Sequence, residues 1–163
     1  MSNRFRLAVA LCAMPMVAQA ECKGETLLSC PVGNGDYLEV CITQGAFSYA
    51  FGPLGAPELQ LSVPMAAGTV TPWPGIGRAI WATVGFPNDG FVYEVWTSVE
   101  RNPDAPAHSG GVNVLQGDNI IAEKSCIGGD LAPAFTLEDA MAANGFCWDF
   151  NAQTWREDGA CGG

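Results

Sequence analysis

Alternating hydrophobic and polar residues cover much of the chain and predict antiparallel β-strands. The longest such pattern spans 76–99 and is interrupted once, by the turn residues Pro87-Asn88-Asp89-Gly90. It predicts a β-hairpin with a four-residue loop, in which Phe86 lies opposite Phe91. In that register one face of the hairpin is apolar and belongs to the core: Ile80, Ala82, Val84, Phe86, Phe91, Tyr93, Val95 and Val99.

The opposite face of this hairpin holds the best candidates for a binding site. It carries Thr83, Glu94, Ser98 and Glu100, and the predicted register puts Trp81 directly across from Trp96. An exposed aromatic patch of this kind marks a protein or carbohydrate contact. In the alternative, the C-terminal segment folds back over the two tryptophans and makes a second core layer. Trp73, in a predicted loop, and the basic residue Arg78 are close in sequence to this face. The candidate binding residues are therefore Trp81, Trp96, Glu94, Glu100, Trp73 and Arg78.

The same alternation predicts further strands on both sides of the hairpin. Residues 37–43 and 46–51 form a hairpin around Gln44-Gly45 that pairs Ile42 with Phe47, Val40 with Tyr49 and Leu38 with Phe51. Other predicted strands are 26–29, 58–63, 112–116 and 119–124. Glycine and proline make 65–75 and 102–111 long loops.

Beyond Cys126 the pattern changes to that of a helix followed by a small hairpin. Thr136 is the expected cap of a helix over 137–143 that stops at Asn144-Gly145. The predicted hairpin consists of two aromatic segments, 146–150 and 154–156, on either side of a turn. The predicted fold is mainly β: an antiparallel sandwich or barrel of about seven to eight strands built from hairpins, with a C-terminal short helix and small aromatic hairpin.

The first twenty residues have the pattern of a secretory signal peptide. Arg4 and Arg6 precede an apolar run that is shorter than the roughly 20 residues of a membrane span, and Ala18-Gln19-Ala20 fits a cleavage site. We therefore expect residues 1–20 to be removed, 21–126 to form the β domain and 127–163 to form the C-terminal extension. The mature chain is expected to be exported to the periplasm or outside of a bacterium, not membrane-spanning, and monomeric.

Six cysteines remain after removal of the predicted signal peptide, and in an exported protein they predict three disulfides. Cys147 and Cys161 both lie in the C-terminal extension, where a small aromatic hairpin needs a covalent bond. For the other four, folding of the first strand around 33–35 favours the pairs Cys22 with Cys41 and Cys30 with Cys126.

The mature chain is strongly acidic. Without Arg4 and Arg6 it has five basic residues against 17 acidic ones, which gives a net charge of −12. This charge disfavours nucleic acid and anionic membranes and attracts a cationic protein, although it also serves to keep an exported protein soluble.

Most motifs of known enzyme classes are absent from the sequence. There is no GxSxG, no HExxH and no phosphate-binding glycine loop, and His108 is the only histidine. Neighbouring Asp104, His108 and Ser109 lie in a predicted loop that would not hold a catalytic triad. Glu94 and Glu100, on one strand face, are the candidates for the carboxylate pair of a glycosidase, but two surface acids on one strand are commonplace. We expect no catalytic residue, no metal and no cofactor.

The segment from Arg78 to Cys126 resembles the periplasmic lysozyme inhibitors of bacteria. The resemblance lies in the preceding Gly75-Ile76-Gly77, the Asp89-Gly90 turn, the aromatic run to Trp96 and the closing Cys126. It implies a non-enzymatic, exported inhibitor whose partner is a cationic protein such as lysozyme. The alternatives are a cell-envelope protein that binds or hydrolyses a cell-wall glycan, and a structural envelope protein.

Overall fold

The computed structural model describes residues 22–101, 104 and 107–157. Within them the chain forms twelve strands, one α-helix and a 3₁₀ turn at Met65–Ala67. The strands of the first half are β1 (Glu25–Gly33), β2 (Asp36–Thr43), β3 (Ala46–Pro53), β4 (Leu59–Pro64), β5 (Val70–Thr71) and β6 (Ala79–Asn88). The remaining elements are β7 (Phe91–Glu100), β8 (His108–Gln116), β9 (Asn119–Ser125), β10 (Asp130–Leu131), α1 (Phe135–Ala143), β11 (Cys147–Asp149) and β12 (Thr154–Arg156).

Two antiparallel five-stranded sheets pack face to face. The first sheet has the order β10-β1-β2-β3-β4 and the second β5-β6-β7-β8-β9, while β11 and β12 pair only with each other. Between the sheets, the Tyr49 ring lies 5.3 Å from that of Phe86 and 5.7 Å from that of Tyr93. The expected mainly β, disulfide-linked fold is confirmed, and of the two expected architectures it is the sandwich that forms.

The first sheet is built as its sequence pattern predicts. β2 and β3 turn at Gln44-Gly45, and Ile42 pairs with Phe47, Val40 with Tyr49 and Leu38 with Phe51. Phe47, Val40 and Leu38 are fully buried. The two-residue turn specifies this register. The alternation also specifies it, since a slip of one residue would move every apolar side chain of a strand to the solvent.

The β6–β7 hairpin has a two-residue loop, so the predicted four-residue loop is wrong. Asp89 and Gly90 have φ values of 48° and 82°, the paired positive values that the tightest hairpin turns require. Asn88 therefore pairs with Phe91, and Phe86 pairs with Tyr93 instead of Phe91. A shift of two residues leaves the faces unchanged, and the predicted core residues Ala82, Val84, Phe86 and Val95 are buried.

The long loops are shorter than predicted. Within 65–75, Met65 and Val70 are buried and Val70 pairs with Val84 of β6. β8 begins at His108, so Gly110 and Gly111 belong to a strand and pair with Thr97 and Trp96. A Cβ atom on Gly110 would lie 2.6 Å from Cδ2 of Leu28, so glycine is needed where the two sheets come close.

The C-terminal segment closes the same core. α1 begins at Phe135, directly after Ala134, and no side chain of the described residues caps its N-terminus. The predicted cap at Thr136 is therefore wrong. Leu137, Ala140 and Met141 are buried in the core cluster, and Phe146 and Trp155 pack against that cluster. The predicted aromatic hairpin is confirmed, with Trp148 opposite Trp155.

Two of the three predicted disulfides are confirmed. Cys22 pairs with Cys41, with Cα atoms 5.6 Å apart, and Cys30 pairs with Cys126, with Cα atoms 5.5 Å apart. The second bond connects β1 of one sheet to the residue that follows β9 of the other. Cys147 is disulfide-bonded, but its predicted partner Cys161 lies outside the described residues, as does the predicted signal peptide.

Candidate functional site

The outer face of the second sheet brings most of the candidate residues together. Odd-numbered residues of β6 and even-numbered residues of β7 point away from the core, since their neighbours Val84 and Val95 are buried. We call this surface the acidic aromatic face; it carries Trp81, Trp96, Glu94, Glu100 and, from β9, Glu123. Arg78, which directly precedes β6, joins this face through its ion pair with Glu100. Trp81 and Trp96 are partly exposed and lie outside the core cluster.

The two tryptophans are diagonal neighbours on this face. Trp96 pairs with Thr83, and Trp81 pairs with Ser98, so the prediction that they lie directly across from each other is wrong, as a consequence of the shorter loop. Diagonal positions on adjacent strands are about 7–8 Å apart, which large aromatic side chains can span. The tryptophans therefore still share one continuous surface.

Trp96 lies over the glycine of the next strand. Gly111 pairs with Trp96, and a Cβ atom on Gly111 would come within 3.1 Å of Cζ2 of the Trp96 ring and would also clash with the carbonyl oxygen of Lys124. The absence of a side chain at Gly111 thus allows the indole to lie close to the sheet. Next to it, Oδ1 of Asn113 is buried and has no hydrogen-bond partner among the described residues.

Three carboxylates and one guanidinium surround the tryptophans. Glu94, Asn113 and Glu123 form one cross-strand row. Arg78 forms an exposed ion pair with Glu100, with 3.4 Å between Nε and Oε2, and such pairs add little stability. The carboxylates on this face outnumber its one guanidinium, which gives it an acidic character.

Glu94 and Glu100 do not have the geometry of a glycosidase pair. They stand six positions apart on the same face of β7, which corresponds to roughly 20 Å along a strand. Catalytic carboxylates of glycosidases are about 5–9.5 Å apart. The two residues can therefore flank a bound partner but cannot act together on one glycosidic bond.

Trp73 belongs to a separate cluster at the beginning of β6. Its ring lies beneath the guanidinium of Arg101, 5.3 Å from the ring centre, and its indole N–H donates to the carbonyl oxygen of Ile76 at 2.8 Å. Arg101 also donates to the carbonyl oxygen of Gly77. The aromatic face of Trp73 is thus already in contact with a cation of the same chain.

The remaining catalytic and metal candidates are not assembled. His108 and Ser109 are adjacent in β8 and so point to opposite sides of the sheet. Among the described residues, no group of three histidine, cysteine, aspartate or glutamate side chains could hold a metal ion. Within the same residues, no helix is both long and apolar enough to cross a membrane.

Sequence reasoning missed Gly111, Asn113 and Glu123. The low strand propensity of Ser109-Gly110-Gly111 predicts a loop at Gly111. The alternation from Val112 to Leu115 predicts that the Asn113 side chain points away from the core. The position of Asn113 beside Glu94 depends on how β7 pairs with β8, which the alternation does not predict. Comparison with protein-family models, curated proteins and solved structures finds no match for this chain.

Proposed function

We propose that this protein is an exported, non-enzymatic binding or inhibitor-type protein whose acidic aromatic face binds a cationic protein such as lysozyme. The observation that carries the proposal is the position of Trp81 and Trp96 on one open sheet face, with Glu94, Glu100 and Glu123 around them. Tryptophans are the residues most often found as energetic anchors of protein interfaces.

The chemistry of this face suits lysine and arginine side chains. A cationic group gains favourable energy over an indole ring and more where a carboxylate lies beside it. The expected net charge of −12 of the mature chain would steer a cationic partner towards the protein before contact. Anionic partners would be repelled by the same field.

Several features support export. The N-terminal residues have the composition of a signal peptide, and the two disulfides of the described residues are typical of oxidising compartments. Periplasmic or extracellular location in a bacterium is part of the proposal.

The experiment that tests the proposal is surface-binding kinetics of the mature protein against c-type lysozyme. Association should slow as salt rises above about 0.15 M, where screening acts within about 8 Å. Trp96→Ala should raise the dissociation rate by roughly 30-fold, equivalent to about 2 kcal/mol. Phe150→Ala, which removes another exposed ring that does not belong to the acidic aromatic face, is the matched control and should leave the kinetics unchanged.

Thermal melting of each variant separates lost binding from lost folding. A well-folded wild-type protein that does not bind c-type lysozyme or other cationic lysozymes at low salt would rule out the inhibitor proposal. Binding to a glycan array without binding to lysozyme would favour the glycan-binding alternative.

A further inference from the structure

The outer face of the first sheet contains a groove that the proposed function does not use. It has a volume of about 620 Å³ and is lined by side chains of β2, β3 and β4, among them Glu39, Ser48, Ala50, Gln60 and Ser62. Binding pockets for small molecules have volumes of about 300–1,000 Å³. The sheet itself separates this groove from the acidic aromatic face, which belongs to the other sheet of the sandwich.

The floor and one wall of the groove follow from the sequence. Ser48, Ala50 and Ser62 are small residues at outward positions of β3 and β4, so they leave a hollow in the middle of the sheet. The wall is the segment that precedes β1, with Lys23 in the lining. The disulfide between Cys22 and Cys41 holds this segment against β2.

Much of the hydrogen-bonding capacity in the groove is unused. Ser62 donates its hydroxyl to the carbonyl oxygen of Phe47 at 3.2 Å and keeps its acceptor positions. The Glu39, Ser48 and Gln60 side chains have neither a hydrogen bond nor an ion pair within the described part of the chain. Burial raises the pKa of Glu39, which indicates that its carboxylate has lost part of its water without gaining a partner.

The lining also restricts the chemistry of a ligand. It has one acidic residue, Glu39, and one basic residue, Lys23, and its other polar groups are hydroxyls and an amide. The aromatic Tyr49 contributes through its backbone, since its side chain is buried in the core. Apolar surface in the lining comes from Ala50, Leu61 and the Cys22–Cys41 disulfide. Hydroxyl and amide groups beside such small apolar areas match an uncharged ligand that carries many hydroxyl groups on a C–H framework.

We propose that this groove is a binding site for a neutral saccharide. Its hydroxyls would donate to the Glu39 carboxylate and exchange hydrogen bonds with Ser48, Gln60 and Ser62. The distance from Glu39 to Thr43, four positions further along β2, is roughly 13 Å, enough for a short oligosaccharide. The site is independent of the proposed binding of a cationic protein, so each can fail without the other.

The test is a nuclear magnetic resonance titration of the mature protein with two uncharged disaccharides, maltose and N,N′-diacetylchitobiose. Methylammonium and acetate serve as cationic and anionic comparison ligands. At least one disaccharide should cause saturable shifts confined to amides around Glu39, Ala50 and Gln60. Glu39→Ala should weaken that binding about tenfold, which is the usual effect of losing a hydrogen bond to a charged group.

Steric variants locate the site. Ala50→Leu should fill the floor and abolish binding, whereas Ser109→Leu adds similar bulk to the outer face of the other sheet and should have no effect. If Ala50→Leu does not fold, Gln60→Ala at the exposed edge strand replaces it and should weaken binding at least severalfold. The proposal is overturned if neither disaccharide gives saturable shifts, if the shifts map to the acidic aromatic face, or if only a charged comparison ligand binds.

Discussion

Trp155 donates its indole N–H to the carbonyl oxygen of Val70, 2.8 Å away and 85 positions earlier in the chain. Val70 is one of the two residues of β5, the short edge strand of the second sheet. Trp155 also packs against the core cluster and meets the ring of Trp148, 5.3 Å away, edge to face. The C-terminal hairpin is therefore attached to the sandwich by both a polar and an apolar contact.

Shortening Trp155 should destabilise the whole protein. Trp155→Phe keeps an apolar ring but removes the donor to Val70, and we expect a loss of about 1 kcal/mol in the free energy of unfolding. Trp155→Ala also removes the packing and should cost about 3 kcal/mol. Urea unfolding measures both. Phe150→Ala, in the same hairpin but 68% exposed, should change stability by less than about 0.5 kcal/mol, and an equal loss in Phe150→Ala and Trp155→Ala would contradict this account.

The β6–β7 hairpin allows the same substitution to be compared on its two faces. Val84 is fully buried and Val92 is 37% exposed on the outer face. Val84→Asp should prevent folding, or cost more than about 4 kcal/mol, because it buries an unpaired carboxylate. Val92→Asp should cost less than about 1 kcal/mol. Circular dichroism and thermal melting of the two variants measure the difference, and similar melting temperatures would mean that the assigned faces are wrong.

The sequence pattern places Thr83 on the hairpin face opposite the core, where a charged residue should be tolerated. Thr83 does point away from the core, but it pairs with Trp96 and is only 9% exposed. A charge at this position would lie beside the indole with little access to water, so a cost between those of the two valine variants is expected. Thr83 thus differs from Val92 although both lie on the outer face.

The two described disulfides should differ in their contribution to stability. The bond between Cys30 and Cys126 closes a loop of 96 residues, whereas the bond between Cys22 and Cys41 closes one of 19. Chain-entropy estimates give about 4.7 kcal/mol for a loop of about 100 residues and about 3 kcal/mol for one of about 15 residues. The Cys30→Ala, Cys126→Ala double variant should therefore lose about 1.5 kcal/mol more than the Cys22→Ala, Cys41→Ala variant in denaturant unfolding. The reverse order would show that lost chain entropy is not the main effect.

Local patterns predicted the β2–β3 hairpin with its register, and the β6–β7 hairpin with its faces but not its register. The pairing of Ile42 with Phe47 follows from a two-residue turn and a strict alternation, and both are visible in the sequence. The position of the Asp89-Gly90 turn is predicted correctly, but the predicted loop is two residues too long, because Pro87 is a typical loop residue. Pro87 instead pairs with Val92 at the end of β6, near the end of the hairpin where a missing N–H is tolerated.

Contacts between distant segments could not be predicted in the same way. β8 includes Gly110, which lies close to Leu28 and Leu131 of the other sheet. Such a close approach depends on how the sheets pack and leaves no periodic signal. Alternation along β6 and β7 placed Trp81, Trp96, Glu94 and Glu100 on one face, but the addition of Glu123 required the registers of β8 and β9.

The link between α1 and the loop before β6 should make stability depend on pH. Oε1 of Glu138 accepts the backbone N–H of Trp73 at 3.2 Å. Burial raises the pKa of Glu138 above its ordinary value of 4.5, although the hydrogen bond from Trp73 acts in the opposite direction, and the nearby charge of Asp139 raises it further. The folded protein therefore binds this proton more tightly than the unfolded chain does.

Removal of this charge should stabilise the protein only where Glu138 is ionised. Because its pKa is higher in the folded state, the contribution of Glu138 to stability is greatest below pH 4.5 and falls as pH rises through its folded-state pKa. Glu138→Gln keeps an oxygen that can accept the N–H of Trp73 and never ionises. Its melting temperature relative to wild type should therefore rise between about pH 3 and about pH 7. Glu58→Gln, at an exposed position, is the matched control, and a constant difference between Glu138→Gln and wild type over this range would refute the assigned burial of the carboxylate.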